Sequence, residues 1–204
     1  MSQRVNSSLF IPHNLLPSDG EALNHGPVFS AVESDQFFNE LMDNIPWKSD
    51  VIKMFGKTIT TARKVAWIGD DGLEYTYSGA TKQPNPWTPL LKQLKSPVEE
   101  RLGKPFNSCL LNLYHDGNEG MSWHRDNESS IVSGSAIACL SFGAERRFHF
   151  KHTRTKELIT TELEHGSLLV MAGEIQTHWL HALPKSKKIT TPRISLTFRQ
   201  MKTH

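Results

Sequence analysis

From residue 106 onward the chain passes through six strand-like runs with no amphipathic helix between them, and this series limits the possible folds more than any other feature. The runs are NSCLLNLYH, SAIACLSFG, RRFHFKH, ELITTELEH, GSLLVMAG and PRISLTFRQ, separated by turns rich in Gly, Asn and charge. Many strands at such spacing argue for an antiparallel sandwich or barrel. The first half reads differently. Residues 1–30 are polar, carry Pro and Gly, and read as irregular. Ser34 is the expected cap of a helix reaching about Asn44, with Phe37, Phe38, Leu41 and Met42 as its apolar stripe and Pro46 as its stop. The stretch DVIKMFGKTITTARKVAWIGDDGLEYTYSG reads as short strands broken at Phe55-Gly56 and at Asp70-Asp71-Gly72, the second a hairpin signal. Thr88 caps a further helix with Pro89 at its first position and Leu90, Leu91 and Leu94 on its core face. Pro97, with Ser96 and Glu99 as a capping box, predicts a kink or restart there.

The fold class is therefore α+β, with an α+β first part and an all-β second half. The length of 204 residues suits one domain, and no repeat, low-complexity tract or linker divides it. Net charge is only +2, which alone says little about nucleic acid. Cys109 and Cys139 lie in apolar runs, and no Cys-x-x-Cys zinc pattern exists, so both read as buried free thiols in a reducing interior. There is no run of 18 apolar residues and no signal-peptide core, so the chain reads as intracellular, without membrane contact.

Within MSWHRDNE, His124 and Asp126 are two residues apart. On extended backbone such residues share a side, so an imidazole and a carboxylate converge. With ten histidines, chance alone supplies about half of one His-x-Asp in a chain this size, so the pair carries little by itself. Two histidines and one carboxylate on one face would hold non-haem Fe(II) with open positions left for co-substrate and oxygen. His149, His152, His165, His178 and His181 are the candidates for a third ligand. In THWLHALPK, His178 and His181 are three apart, so on a strand only one can face the metal, and spacing does not say which. Each histidine alone reads as a satisfied surface or core residue.

In PRISLTFRQ, Arg193 and Arg199 are six apart and share a strand face with Ser195 and Thr197, while Ile194, Leu196 and Phe198 face the other way. Two inward arginines are costly unless they meet anions, and the guanidinium fork matches a carboxylate in bidentate fashion. Asn112 and Tyr114 in LLNLYHDG add same-sided donors. A dicarboxylate beside an iron would account for all four; a solvent-facing edge strand is the plainer alternative for either segment alone.

Taken in order, N-x-Y, H-x-D, HGSLLVM, a His followed by a small residue, Leu and Pro, and R-x5-R within LTFRQ resemble the AlkB-type Fe(II)/2-oxoglutarate dioxygenases over residues 47–200. The resemblance is nearest to the branch that acts on duplex DNA. It implies a double-stranded β-helix (jelly-roll) core over 106–200, a nucleotide-recognition lid with its supporting helix over 47–105, and one dioxygenase domain over 1–204. It implies Fe(II) on His124, Asp126 and His181, which favours His181 over His178, with 2-oxoglutarate and O2 as co-substrates. Asn112, Tyr114, Arg193, Thr197 and Arg199 then match the 2-oxoglutarate contacts; Ser195 stands where some members carry Asn.

The resemblance also implies a base site. Tyr75, Tyr77 and Ser78 in YTYSG, His124, Asn127 and Glu128 match the substrate contacts: Tyr77 and His124 the two stacking faces, Glu128 the acid for the exocyclic amino group. Tyr77 replaces a Phe and Asn127 an acidic residue. Phe55, followed by Gly56 and Lys57, matches the wedge that fills the gap left by an extruded base, offsetting part of the unstacking cost. Lys185, Lys187 and Lys188 match a basic loop on the complementary strand; Arg63, Lys64 and Lys57 would add phosphate contacts. The implied activity is oxidative demethylation of N1-methyladenine and N3-methylcytosine in DNA, double-stranded by this reading, by a monomer in bacterial cytoplasm or eukaryotic nucleus. The alternatives are the same iron chemistry on RNA or protein, and a non-catalytic β-barrel that binds nucleic acid.

Overall fold

The computed structural model describes residues 12–203 other than 55, 56, 74, 78 and 79, with side chains outside 50–59 and 74–82. Among the described residues no helix is long and apolar enough to cross a membrane. Alternation on the strands builds three layers. On β13 (Arg193–Arg199), Ile194, Leu196 and Phe198 are fully buried on one side. On β6 (Ser108–Tyr114), which pairs with it, Cys109, Leu111 and Leu113 fall on that same side. Two helices cover them: α1 (Ala31–Asn44) through Phe37 and Leu41, and α2 (Pro89–Leu102) through Leu91, Leu94 and Val98. The opposite side carries Tyr114, Asn112, Arg193 and Ser195 into the space between two sheets, as the period of two requires.

The larger sheet has seven strands. Its order is β1 (Glu21–Pro27), β11 (Ser167–Ala172), β8 (Ile137–Gly143), β13, β6, β3 (Lys57–Gly69) and β2 (Lys48–Met54). The smaller has four: β10 (Leu158–Leu163), β9 (Arg146–His152), β12 (Trp179–Leu183) and β7 (Met121–His124). All their pairings are antiparallel. Phe148, Phe150, Trp179 and Leu183 of the small sheet pack with Ile137, Cys139, Leu169 and Met171 of the large one. A two-stranded ribbon, β4 (Tyr75–Tyr77) with β5 (Ala80–Lys82), stands apart.

Several local expectations are corrected. Residues 21–27 are not irregular but form β1, an edge strand on β11. Helix α1 starts earlier than Ser34: Ser30 and Glu33 form the capping box, with Glu33 N–H donating to Ser30 Oγ (3.3 Å) and Ser30 N–H to Glu33 Oε2 (3.0 Å). Ser34 is fully buried instead. Helix α2 does begin at the Thr88 cap but runs through Pro97 without restarting. Its box residues are engaged elsewhere, Ser96 donating to Lys92 O and Glu99 accepting from Phe106 N–H, while Leu94 and Val98 keep both halves seated on the core. The Asp70-Asp71-Gly72 turn is not a hairpin, since β3 pairs with β2 and β6 and β4 pairs with β5. One turn of helix, α3 (Ile175–His178), interrupts the strand series between β11 and β12.

Candidate metal and co-substrate site

His124 closes β7 and His181 sits directly across from it in β12, so two neighbouring strands deliver both imidazoles to one level. The ring centroids are 4.2 Å apart. Asp126 lies just past the end of β7. One ligand atom from each of His124, Asp126 and His181 falls within 4.8 Å of the others. The donor set, two imidazole nitrogens and one carboxylate oxygen, suits a divalent non-haem iron with open positions. His124 places Nδ1 on Ser122 O at 2.8 Å, which leaves Nε2 facing Asp126 Oδ1 at 3.9 Å. His181 is buried, stacked on Phe148 at 5.5 Å, and its Nδ1 is an orphaned buried atom.

The surroundings set the protonation states of His181 and Asp126 for holding a metal. Burial, then the neighbouring His124, pushes His181 down to about 3, so it is a neutral ligand. Burial pushes the Asp126 carboxyl up, but Arg199, His181 and His124 together pull it below its ordinary value. Arg199 Nη2 stands 3.0 Å from Asp126 Oδ2. Burial works against the Arg199 charge, and Asp126 and Glu128 more than restore it.

The triad opens on a cleft of about 180 Å³ between the sheets, also lined by Asn112, Tyr114, Glu128, Arg193, Thr197 and Arg199. Arg193 is buried, donates to Ser141 Oγ at 2.8 Å, and lies 5.5 Å over the Tyr114 ring. Among the described residues Arg193 Nε, Arg199 Nε and Asn112 Oδ1 are buried without partners. The two unpaired donors, Arg193 Nε and Arg199 Nε, beside a small cavity fit an anionic ligand that would complete them, while Asn112 Oδ1 is an acceptor. Glu128 Oε2 on the same cleft is a buried acceptor, unpaired among the described residues.

The competing histidines are engaged elsewhere. His152 meets Asp19 at 3.1 Å, His165 meets Asp35 at 3.3 Å, and His178 meets Glu174 at 3.7 Å. His149 lies beside Trp123. Asn127 is exposed, as are Lys185, Lys187 and Lys188. Arg63 donates to Met121 Sδ at the cleft edge, so its guanidinium is turned toward the site. Phe55, Gly56 and Ser78 lie outside the described residues; Tyr75, Tyr77 and Lys57 are strand positions whose side chains are not described. The sequence reading missed Ser141, Phe148 and Gln176, whose Oε1 accepts from Asp126 N–H at 2.9 Å. Ser141 had a signal, a lone hydroxyl at even spacing from Cys139 in an apolar run. Gln176 had none.

Comparisons with known proteins agree with this geometry. The family model of the 2OG-Fe(II) oxygenase superfamily matches residues 23–199. DNA oxidative demethylase ALKBH2 of Mus musculus is 39% identical over 197 residues, spanning 91% of this chain and 82% of that protein. ALKBH2 of Homo sapiens is 38% identical over 195 residues, spanning 90% and 75%. The alpha-ketoglutarate-dependent dioxygenase alkB homolog 3 of Bos taurus is 40% identical over 177 residues, spanning 82% and 61%. A solved structure titled "The structure of OsALKBH1" superposes with a TM-score of 0.58 at 16% identity, over 91% of this chain and 98% of that one. That likeness is one of fold, and the two packed antiparallel sheets are a double-stranded β-helix.

Proposed function

The chain belongs to the 2OG-Fe(II) oxygenase superfamily, among the AlkB-type dioxygenases, and from that premise we propose that it oxidatively demethylates alkylated DNA bases. The observation that carries the reading is one cleft with a His124–Asp126–His181 cluster on one wall, buried Arg193 on another, and the unpaired Glu128 acceptor beside them. The choice of DNA as substrate rests on the relatives, two of which are named DNA oxidative demethylases.

When bound, iron and 2-oxoglutarate would supply, with O2 as the oxidant, the oxidation of an N-methyl group, which leaves as formaldehyde while 2-oxoglutarate becomes succinate and CO2, one oxygen atom of O2 going to each oxidation. The chain's residues do the rest. His124, Asp126 and His181 hold the iron. Arg193, oriented by Ser141 and Tyr114, presents donors to a 2-oxoglutarate carboxylate, with Asn112, Tyr114 and Thr197 around it. Arg199, whose Nε faces the same cleft, completes the 2-oxoglutarate anion site, keeps Asp126 ionised and fixes Oδ2, leaving Oδ1 toward the metal side. Phe148 stacks on His181 and excludes water from that side. Glu128 accepts from the exocyclic amino group of a base that methylation has made cationic. N1-methyladenine and N3-methylcytosine fit this site, because the methyl blocks pairing and lowers the cost of flipping.

In the same reading residues 47–105 form the recognition lid of one domain. Tyr75, Tyr77, Ser78 and Asn127 line the base, Phe55 with Gly56 wedges a duplex, and Lys57, Arg63, Lys185, Lys187 and Lys188 meet phosphates. The test is mass spectrometry of a duplex carrying one N1-methyladenine, incubated with protein, Fe(II), ascorbate and 2-oxoglutarate. Loss of one methyl group, absent without 2-oxoglutarate and absent with Asp126→Ala, is expected. Succinate formed with neither duplex nor single strand altered would refute the DNA substrate, and turnover by Asp126→Ala would refute the metal assignment.

A further inference from the structure

We infer that Gln176 is a positioning residue of the iron site: its amide oxygen fixes the main chain of Asp126 and so sets where that ligand stands relative to the two imidazoles. The role rests on the family's iron site and not on the identity of the substrate.

Asp126 lies beyond β7, whose ladder ends at His124, so its N–H has no strand partner. It donates to Gln176 Oε1 instead, at 2.9 Å. A backbone N–H can only donate, so this contact sets the amide orientation: Oε1 faces Asp126 and Nε2 points away. Among the described residues Nε2 is buried without a hydrogen-bond partner. An orphaned buried donor is a stability cost that an apolar side chain of the same size would avoid. The oxygen, not the bulk of the side chain, is what this position uses.

A second tie runs alongside. Arg125 Nη1 donates to Thr177 O at 3.0 Å, so residues 125 and 126 both close onto the single turn of α3. That turn has a firm base. Ile175 is buried, and its backbone lies so close to Gly20 that a Cβ there would come within 2.7 Å of Ile175 Cα. Gly20 also holds φ at 145°, a region other residues avoid. The chain leaves α3 into fully buried Trp179, whose indole N–H donates to Ser18 O at 3.1 Å, and reaches His181 two residues later. One rigid segment thus carries His181 directly and holds Asp126 through Gln176. Arg199 fixes the carboxylate end of Asp126 and Gln176 the main-chain end.

Groups that orient a metal ligand in this way cost about 10–100-fold in metal affinity when removed. The test compares Gln176→Met, which keeps the volume and loses the acceptor, with Gln176→Glu, which keeps an oxygen. Metal-free protein is titrated with Co(II) alone and followed by the visible absorption of the bound ion. Gln176→Met should bind about tenfold more weakly with an altered absorption envelope, and Gln176→Glu should stay within about threefold of the parent. If Gln176→Met does not fold, Gln176→Asn, which withdraws the amide by one methylene, replaces it with the same expectation. Parent-like binding by the variant lacking the acceptor, or equal weakening in both variants, would overturn the assignment. The titration contains no DNA, so failure of the demethylase reading would leave its outcome untouched.

Discussion

Arg199→Met removes the counter-charge from a buried carboxylate, and the structure gives the size of the effect. Arg199 and Asp126 are 3.0 Å apart with side chains only 11% and 7% exposed. Removing one partner of such a pair costs about 3–5 kcal/mol, because the other charge is left buried and unpaired. At about 2–4 °C per kcal/mol for a chain of this size, metal-free Arg199→Met should melt roughly 6–20 °C below the parent. Asp126 has an escape. Burial already pushes its carboxyl up, and Arg199 is the foremost group pulling it down, so in the variant the carboxyl rises. A carboxyl raised in the folded state disfavours folding at high pH, and the deficit should shrink as pH falls. A divalent ion would replace the missing charge, so Mn(II) should raise the melting temperature of the variant more than that of the parent. The decisive comparison is a cycle with Asp126→Asn, read by calorimetry after chelation of metal. The double variant leaves neither charge alone and should melt above Arg199→Met. A double variant that loses the sum of the two single losses would refute the reasoning, as would a shift below about 2 °C for Arg199→Met.

Three further outcomes are expected. A Cβ on Gly117 would collide with Ser186 O, and the Gly117 N–H donates to Ile189 O at 2.8 Å; Gly117→Ala should cost about 1–3 kcal/mol and, by displacing the loop of Lys185, Lys187 and Lys188, weaken DNA binding and flatten its salt dependence. Unchanged DNA binding with lowered stability would remove that loop from the DNA contacts. His181 titrates at about 3 when folded against an ordinary value of 6.5, so the unfolded chain takes the proton first and metal-free stability should fall as pH drops from about 6.5 toward 3, by up to about 1.4 kcal/mol per unit; chemical denaturation of His181→Asn should show a flatter slope, and an equal slope would refute the shift. Phe55→Ala should impair repair of a methylated duplex more than of a single strand, measured side by side by mass spectrometry; equal losses would remove the wedge.

What was legible in the chain follows from the period of a strand. Arg193, Ser195, Thr197 and Arg199 at even spacing had to share a face, and the register with β6 and β8 brings Asn112, Tyr114, Cys139 and Ser141 to that same face. Likewise the helix cap at Thr88 is a local hydrogen bond between residues three apart and could be read directly. The misreadings arose where two local signals competed. Ser30 and Ser34 both precede the apolar stripe of α1, and only the tertiary burial of Ser34 decides between them. The Ser96–Glu99 box was outweighed by the core contacts on either side of Pro97. Residues 21–27 show no strong alternation because β1 is an edge strand whose partner lies about 150 residues away, so pairing with β11 defines it.

The same logic separates the ligands from what positions them. His124 and His181 could be singled out by their motifs, but their facing each other depends on β12 pairing with β7 across a bulge. The atoms that tune the site come from farther still. Ser141 meets Arg193, and Gln176 meets Asp126, each across about 50 residues. Neither contact has a sequence period, because each joins a side chain to a segment set by the packing of separate strands. Gln176 marks the limit. Gln176 stands in GEIQTHW just ahead of THWLHALPK with no motif of its own, and only the closure of α3 against Gly20 and the Asp126 loop turns an unremarkable amide into a hold on the carboxylate. In a site whose ligands lie at strand ends, residues one layer behind them have their geometry set by topology, and substituting them should alter metal affinity before it alters the fold.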